Sequence, residues 1–410
     1  MDNIKIGENM YKIYDDRFHS IIINKRFIKP FNKEEITIAN LLAACLSLSN
    51  KKYKTNEEFS KFLEANYNMQ PSVKCINFGD YMSLSFSINA MNPKYSLDNE
   101  YSLDTVLSTF DLIINEPNVW NKRFKLDMFN YAKKELRTAI MHYNDDRGFY
   151  ATKRALSLFL KADFAELFGE CDLDSLNRIN PSELYEYYLD FKTKPSVSYI
   201  DGDIAKDFEG NNKVCYPKYM MHRKRNGEYS EVLENDEIDQ AYIRLIYENA
   251  PFYDEDESIA ASLAAFILGG DSTSKLFLNV RESKGLCYDI YSAYYANFGF
   301  IFISLGTDEQ NIDIAVKAIE EEVANLQNGK ITALEFNSLK NKLINSLKEA
   351  CDYQSTKLKE QMLNDLFLDK NLTIDDRIKK IESLSIDDVV KASKNLKLAF
   401  KYVVGGVAHE

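Results

Sequence analysis

The pattern of apolar and polar positions occurs twice along the chain, in the same order. Each copy predicts an apolar helix, a second helical segment and then a strand in which apolar residues alternate. The first copy comprises "ITIANLLAACLSLS" (36–49), "EEFSKFLEANY" (57–67) and "YMSLSFSIN" (81–89), and the second comprises "ESIAASLAAFILGG" (257–270), "SKLFLNVRESKGLCY" (274–288) and "FGFIFISLG" (298–306). Such a recurrence indicates an internal duplication.

The correspondence continues beyond the alternating strands. Residues 103–140 and 312–350 each predict two successive helices, and residues 180–203 and 385–406 each predict a short helix and a final strand. The resulting order of elements is neither a regular β-α-β alternation nor a run of hairpins. We therefore predict an α+β fold with two homologous domains, each a mostly antiparallel sheet layered with helices.

The predicted domain limits follow from this repeat. We assign 1–208 to the N-terminal domain and 229–410 to the C-terminal domain, each of about 200 residues, a size within the usual range. The polar and basic stretch 209–228, "EGNNKVCYPKYMMHRKRNGE", is the predicted linker between them. It contains "HRKRNG" (222–227), the densest basic patch of the chain, which fits a solvated connector.

Composition excludes several classes of partner. The 410 residues include 63 acids and 51 bases, a net charge of −12, and because both signs are spread along the chain we expect no nucleic-acid partner. No stretch approaches the roughly 18 apolar residues of a membrane span, and we see no secretory signal. Six scattered cysteines without a C-x-x-C pair favour reduced thiols in the cytoplasm: Cys45, Cys75, Cys171, Cys215, Cys287 and Cys351.

Histidines give no support for a metal site. None of the four has a second histidine or cysteine three to five residues later, whereas a hydrolytic zinc needs three protein ligands held together. They are His19, His142, His222 and His409.

The stretch "RESKGLCYDIYSAYY" (281–295) contains the candidate chemistry. Arg281 and Tyr288 are seven residues apart, and we expect Gly285 to end a helix between them and return the tyrosine on a strand. Two interpretations are open. The pair could donate hydrogen bonds to a peptide carbonyl as negative charge builds on it, or it could be structural, with Arg281 paired to a carboxylate and the Tyr288 hydroxyl satisfied.

The motif and the duplication together indicate a family. With two α+β copies and "LGGDSTSKLFLNVRESKGLCYDIYS" (268–292) in the second, the chain resembles the pitrilysin/insulinase family of inverzincin metallopeptidases over essentially its whole length. The resemblance implies a clam-shell of the type found in mitochondrial processing peptidase. It also implies that Arg281 and Tyr288, which match the family's arginine and G-L-x-Y tyrosine, lie at an active site.

The same resemblance implies that the metal site has been lost. The family's H-x-x-E-H motif supplies two zinc-binding histidines and a glutamate base. At the matching positions this chain has Asn40, Ala43 and Ala44, and Ala139 falls where the third ligand would be, with Glu135 nearby. Since alanine and a lone asparagine do not hold zinc, we expect no metal on this chain and no peptidase activity of the chain alone.

The resemblance therefore implies a non-catalytic, zinc-less subunit of a heterodimeric metallopeptidase, similar to the bacterial YfmF-like proteins and to the non-catalytic subunit of mitochondrial processing peptidase. A homologous partner with an intact H-x-x-E-H motif would hold the zinc. Arg281 and Tyr288 would bind the peptide substrate and stabilise the transition state, and Tyr291 would contribute to peptide binding. One alternative is a structural or peptide-binding protein with no role in proteolysis. Another is a non-zinc hydrolase, although no nucleophile–base pair can be recognised.

Overall fold

The chain forms two compact units. The computed structural model describes residues 10–78, 81–143, 145–161, 170–204, 228–236, 240–359 and 373–405. The first unit contains the described residues of Met1–Tyr143, Phe164–Tyr219 and Gln354–Leu366, and the second contains those of Asn144–Asp163, Met220–Tyr353 and Phe367–Glu410. The predicted limits 1–208 and 229–410 stay a prediction, and the predicted linker 209–228 lies outside the described residues except for Glu228.

The first unit is built on a five-stranded sheet. Its strands are β1 (Met10–Ile13), β2 (Ser20–Pro30), β3 (Gln70–Phe78), β4 (Tyr81–Met91) and β7 (Ser196–Asp201), and a separate hairpin has strands β5 (Val119–Trp120) and β6 (Arg123–Phe124). The order across the sheet is β1-β7-β2-β4-β3. The pair β1–β7 is parallel, whereas β7–β2, β2–β4 and β4–β3 are antiparallel.

Helices cover one face of this sheet. They are α1 (Ile36–Leu48), α2 (Asn56–Ala65), α3 (Leu103–Asn115), α4 (Leu126–Met141), α6 (Leu173–Arg178) and α7 (Pro181–Lys192). Alternate residues of β4, such as Leu84 and Phe86, are buried in the core that these helices form, as the period of two predicts. Helix α1 is apolar almost all round because it packs against β3, α4, α6 and α7.

The second unit repeats this architecture. Its strands are β8 (Ser230–Glu234), β9 (Ala241–Glu248), β10 (Asp289–Tyr295), β11 (Phe300–Thr307) and β12 (Lys397–Val404). Their order is β10-β11-β9-β12-β8, which is the order of the first sheet when each strand is replaced by its counterpart. Again the first and last strands, β8 and β12, pair in parallel, and the other three pairs are antiparallel.

Its helices are α5 (Arg147–Leu160), α8 (Ser258–Gly269), α9 (Ile312–Gln327), α10 (Ala333–Ala350), α11 (Ile374–Ser383) and α12 (Ile386–Ser393). Where the sequence predicts a helical segment at 274–288, the structure has a short π-helix, Phe277–Glu282. The predicted α+β fold with two mostly antiparallel sheets is confirmed. Among the helices of the described ranges, none combines the length and apolar character that a membrane span requires.

Helix α5 belongs to the second unit although it precedes the middle of the chain. The ring of Phe159 lies 5.7 Å from those of Phe300 and Phe400, on the sheet face opposite the main helix layer. The buried guanidinium of Arg244 on β9 donates to the carbonyl oxygen of Gly148 at 2.7 Å and to Thr152 Oγ1 at 2.9 Å. Aromatic packing and these charge-assisted hydrogen bonds hold α5 on the sheet.

A helical segment at 354–359 covers the corresponding face of the first sheet. Gln354 Nε2 donates to the carbonyl oxygens of Ser20 at 3.2 Å and Asp201 at 3.0 Å. The side chain of Lys357 forms an ion pair with Asp15, and Leu358 is buried against the apolar residues of the sheet. Each sheet is thus covered on its second face by a segment from the other half of the sequence. Helix α5, which covers the second sheet, follows α3 and α4, and residues 354–359, which cover the first sheet, follow α9 and α10.

Close packing of α8 on β10 generates a first prediction. A Cβ atom at Gly269 would lie 2.6 Å from the backbone nitrogen of Ser292. We expect Gly269→Ala to lower the free energy of unfolding by about 1–3 kcal/mol, the usual cost of overpacking. Gly148→Ala is the matched control in the same unit, because its Cβ would meet no atom closer than 3.4 Å, and should leave stability unchanged or raise it. Equal effects of the two substitutions in urea unfolding would contradict the packing argument.

Asp201, at the end of β7, generates a second prediction. Burial raises the pKa of its carboxyl to about 6, from a usual value of 3.8, and within the described residues neither carboxylate oxygen has a hydrogen-bond partner. Because the pKa is higher in the folded state, the contribution of the Asp201 carboxyl to the free energy of unfolding is fully present below about pH 4 and is lost as the pH rises through 6. Between pH 4 and pH 7 the free energy of unfolding of Asp201→Asn, measured in urea, should therefore rise by about 2 kcal/mol relative to that of the wild type.

The neighbouring Asp15 provides the opposite case as a control. A hydrogen bond from Arg17, and further interaction with Lys357, hold the pKa of Asp15 well below its usual range. The contribution of the Asp15 carboxylate to the free energy of unfolding is present above the usual pKa of 3.8 and is lost as the pH falls below it. Asp15→Asn should destabilise the protein at pH 7, and a stabilising effect there would contradict this assignment.

Candidate functional site

The candidate site begins at the π-helix Phe277–Glu282. Leu276 and Val280 are fully buried and anchor this turn to the core of the second unit. The backbone N–H of Ser283 donates to the carbonyl of Leu278, five residues earlier, at 2.9 Å, so the turn is wider than an α-helical one. Gly285 then takes φ +62°, a left-handed conformation that glycine adopts without strain. The chain then returns as β10, which begins at Asp289, so Tyr288 lies directly before the strand and not on it as the sequence predicts.

This turn brings Arg281 and Tyr288 into direct contact. Arg281 Nε donates to the backbone carbonyl oxygen of Tyr288 at 2.7 Å. Its Nη1 donates to Glu282 Oε1 at 3.0 Å, and its guanidinium carbon lies 4.4 Å from the ring centroid of Phe277. Within the described residues Nη2 has no hydrogen-bond acceptor. The side chain is 34% exposed, so this nitrogen can still donate to a ligand.

Tyr288 presents its ring to solvent from a fixed backbone. The residue is 57% exposed, while its N–H donates to the carbonyl of Gly306 at 2.9 Å. Its hydroxyl donates to Asp308 Oδ1 at 2.6 Å. That hydrogen bond and the charge of the carboxylate raise the pKa of Tyr288. The phenol is therefore neutral at physiological pH and keeps its hydrogen.

The other tyrosines of the motif divide between exposed and packed positions. Tyr291 lies on β10 opposite Ser304 and is 43% exposed. The hydroxyl of Tyr294 donates to the carbonyl of Pro251 at 2.5 Å, and Tyr295 stacks on Phe300 with 4.9 Å between ring centroids. Tyr291 is therefore the one of the three with a side chain available on this surface, and β10 ends the order of strands in its sheet.

The positions that match the metal motif lie on α1 and α4. Asn40 Nδ2 donates to the carbonyl of Ile36 in its own helix at 2.9 Å. Ala43 is 4% exposed and part of the hydrophobic core, and Ala44 is half-buried beside it. Ala139 and Glu135 lie exposed on α4. Nowhere in the described ranges do three or more histidine, cysteine, aspartate or glutamate side chains form a group that could hold a metal ion.

The histidines lie apart from this region. The ring of His19 packs on Tyr95 at 4.2 Å, and His142 caps the C-terminus of α4. His222 and His409 lie outside the described residues.

Asp308 is the member of the site that the sequence does not single out. It directly precedes a short 3₁₀ helix, Glu309–Asn311, where an aspartate ordinarily reads as a helix cap. Its side chain makes no capping hydrogen bond and instead accepts the Tyr288 hydroxyl. The contact joins residues 20 positions apart, and only the pairing of β10 with β11 brings them together.

The chain combines a duplicated α+β fold, an Arg–Tyr pair at the end of a π-helix and no metal donors at the positions that match the metal motif. Residues 190–343 match the family described as "Peptidase M16 inactive domain". The chain is 22% identical to the "Probable inactive metalloprotease YmfF" of Bacillus subtilis (strain 168), over 98% of this chain and 96% of that protein. It is 25% identical to the "Uncharacterized zinc protease YmxG" of the same organism, over 54% and 56%. The resemblance to the pitrilysin/insulinase, or M16, family is confirmed.

Solved structures share the fold over the whole chain. A conserved protein from Enterococcus faecalis V583 superposes with a TM-score of 0.87 at 22% identity, covering 98% of this chain and 97% of that one. A peptidase M16 inactive domain from Pseudomonas fluorescens superposes with a TM-score of 0.75 at 16% identity, covering 98% and 97%. At these identities the similarity shows the common fold.

Burial of Ala43 generates a third prediction. A carboxylate introduced there would be desolvated within the core, so we expect Ala43→Glu to lower the free energy of unfolding at pH 7 by about 2 kcal/mol or more. Ala44→Glu, at the adjacent half-buried position of the same helix, is the control and should cost less. If Ala43→Glu lowered the free energy of unfolding less than Ala44→Glu, packing would not exclude a carboxylate from position 43, which matches the glutamate base of the family motif.

Proposed function

We propose that this chain is the zinc-less subunit of a heterodimeric metallopeptidase, and that it supplies Arg281 and Tyr288 to a peptide held at the zinc of a homologous partner. The observation that carries the proposal is the contact between the two residues. Arg281 Nε fixes the backbone of Tyr288, and both side chains reach solvent beside the edge strand β10. A purely structural pair would not need to expose two donors side by side.

Hydrogen-bond donation to a carbonyl oxygen is the chemistry that this pair can perform. Peptide hydrolysis places negative charge on that oxygen in the transition state, and one preorganised donor typically contributes about 2.7–4 kcal/mol. Nη2 of Arg281 and the hydroxyl of Tyr288 are the candidate donors. Activation of the attacking water would be the task of the partner's zinc and glutamate, so this chain alone should hydrolyse no peptide.

Binding of the peptide would extend the sheet of the second unit. A strand at the edge of a sheet can pair its main chain with an extended peptide, and β10 occupies that place among the described strands. Tyr291, exposed on β10, would contact a peptide side chain. Substrate-binding residues in this proposal are Arg281, Tyr288 and Tyr291.

The names of two relatives are compatible with such a partner. In Bacillus subtilis one relative has a name that describes an inactive metalloprotease and another a name that describes a zinc protease. Homologues with names of both kinds therefore occur in one organism. A cytoplasmic site of action completes the proposal, and the reduced thiols of Cys45, Cys75, Cys171 and Cys287 are compatible with it.

A fourth prediction tests catalysis in trans. Quenched peptides should be cleaved by a mixture of this chain and the zinc-bearing homologue from the same genome, and by neither protein alone. Arg281→Ala should lower kcat/KM of the mixture by about 100-fold, as loss of one such donor does, while the two chains still co-elute. Lys284→Ala removes a positive charge from the same turn, where Lys284 pairs with Glu321 at 3.2 Å, and should leave kcat/KM unchanged.

Two outcomes would contradict the proposal. Peptidase activity of this chain alone that resists chelators would exclude a zinc-less subunit. A mixture that assembles but cleaves nothing, or that keeps its activity with Arg281→Ala, would favour the alternative of a structural or peptide-binding protein with no role in proteolysis.

A further inference from the structure

The hydroxyl of Tyr288 donates its only hydrogen to Asp308. A phenol has one O–H, which can make one normal donor hydrogen bond at a time, and in this structure it points to Asp308 Oδ1 at 2.6 Å. A hydrogen bond to an ionised carboxylate is stronger than one between neutral groups. Tyr288 therefore cannot donate to a peptide carbonyl until the contact with Asp308 is broken.

In the described part of the chain, the carboxylate of Asp308 makes no other hydrogen bond or ion pair. No lysine or arginine of the described ranges forms an ion pair with it, and the guanidinium of Arg281 is paired with Glu282. Its side chain does not cap the 3₁₀ helix that follows. The hydroxyl of Tyr288 is the one hydrogen-bond donor that this side chain has in the described part of the chain.

The backbone around Tyr288 is held in place while its side chain can rotate. The N–H of Tyr288 is bonded to Gly306 and its carbonyl to Arg281. Thr307 Oγ1, next to Asp308, donates to the carbonyl of Leu286 at 2.5 Å. Release of the hydroxyl therefore requires rotation of an exposed side chain and no movement of the strands.

We propose that Asp308 is a latch on Tyr288 that yields to the negatively charged oxygen of the transition state and not to the neutral carbonyl of the bound substrate. This inference rests on the proposed function. A neutral carbonyl is a weaker acceptor than a carboxylate and leaves the Tyr288–Asp308 bond intact. An oxygen that gains negative charge competes with the carboxylate, so the hydroxyl transfers its hydrogen bond as the reaction proceeds.

Such a latch confines the hydrogen bond from Tyr288 to the transition state, where the bond to Asp308 has to be broken. Interactions that form with substrate and transition state alike lower KM without raising kcat, whereas an interaction made only in the transition state raises kcat. By withholding the hydroxyl from the ground state, Asp308 reserves Tyr288 for the second kind of interaction. Asp308 is thus a positioning residue, because it acts through Tyr288 and touches no reacting atom.

The contact itself can be tested in the isolated full-length chain. Tetranitromethane nitrates tyrosines through the phenolate, and Tyr288 and Tyr291 lie on one tryptic peptide, 285–317. Mass spectrometry then gives the ratio of nitration at the two residues. Asp308→Ala should raise the Tyr288:Tyr291 ratio several-fold at pH 8. Asp289→Asn, which removes a charge next to Tyr288 without touching its hydroxyl, should raise it far less. An unchanged ratio in Asp308→Ala would overturn the latch.

The consequence for catalysis is tested in the mixture with the zinc-bearing homologue. Asp308→Ala should lower KM for a quenched peptide by about fivefold to tenfold, because the hydroxyl can then bind the neutral carbonyl. It should not lower kcat/KM. The fall in KM should be absent when Asp308→Ala is combined with Tyr288→Phe, which a merely structural role of Asp308 would not predict.

The outcomes separate the latch from the function on which it rests. If Tyr288→Phe alone leaves kcat/KM unchanged, the role of the tyrosine in the proposed function is wrong. If Tyr288→Phe lowers kcat/KM while Asp308→Ala lowers it equally or leaves KM unchanged, the function stands and the latch is overturned.

Discussion

Burial of both faces of each sheet is the constraint on which the fold depends. All eight residues of β11 are buried, and alternate residues of a strand point to opposite faces. Ile301 and Ile303 pack with the main helix layer, whereas Phe300 meets Phe159 of α5 on the other side. A sheet with two apolar faces needs two covers. The chain supplies the second cover with α5 in one unit and with residues 354–359 in the other, which is why the compact units do not follow a single cut in the sequence.

The same sheet geometry positions the candidate site. Pairing of β10 with β11 places Tyr288, just before one strand, beside Asp308, just after the other. The left-handed turn at Gly285 lets Arg281 reach back to the carbonyl of Tyr288. One cationic donor, one neutral donor and one anionic acceptor are thereby assembled on a fixed backbone. Glu282 accepts a hydrogen bond from Arg281, and Asp308 accepts one from Tyr288.

Helix α1, which holds the positions that match the metal motif, is used for packing. The amide of Asn40 is bonded within its own helix, and Ala43 is part of the hydrophobic core. A helix whose apolar surface is used on almost every side contributes stability through packing. In this chain α1 serves the core of the first unit, and the exposed polar chemistry lies on the second.

The sequence alone determined the duplication, the α+β class and the order of the main helices and strands, because periodicities of two and about 3.6 residues are local properties of the chain. It also predicted that the chain turns at Gly285 between Arg281 and Tyr288, since glycine permits a left-handed conformation. The tertiary structure decided the rest. Asp308 is separated from Tyr288 by an entire hairpin. The packing of α5 on the second sheet and of residues 354–359 on the first depends on which face of each sheet the other helices leave uncovered. Neither contact leaves a local pattern, because side chains distant in sequence meet only after the strands have paired.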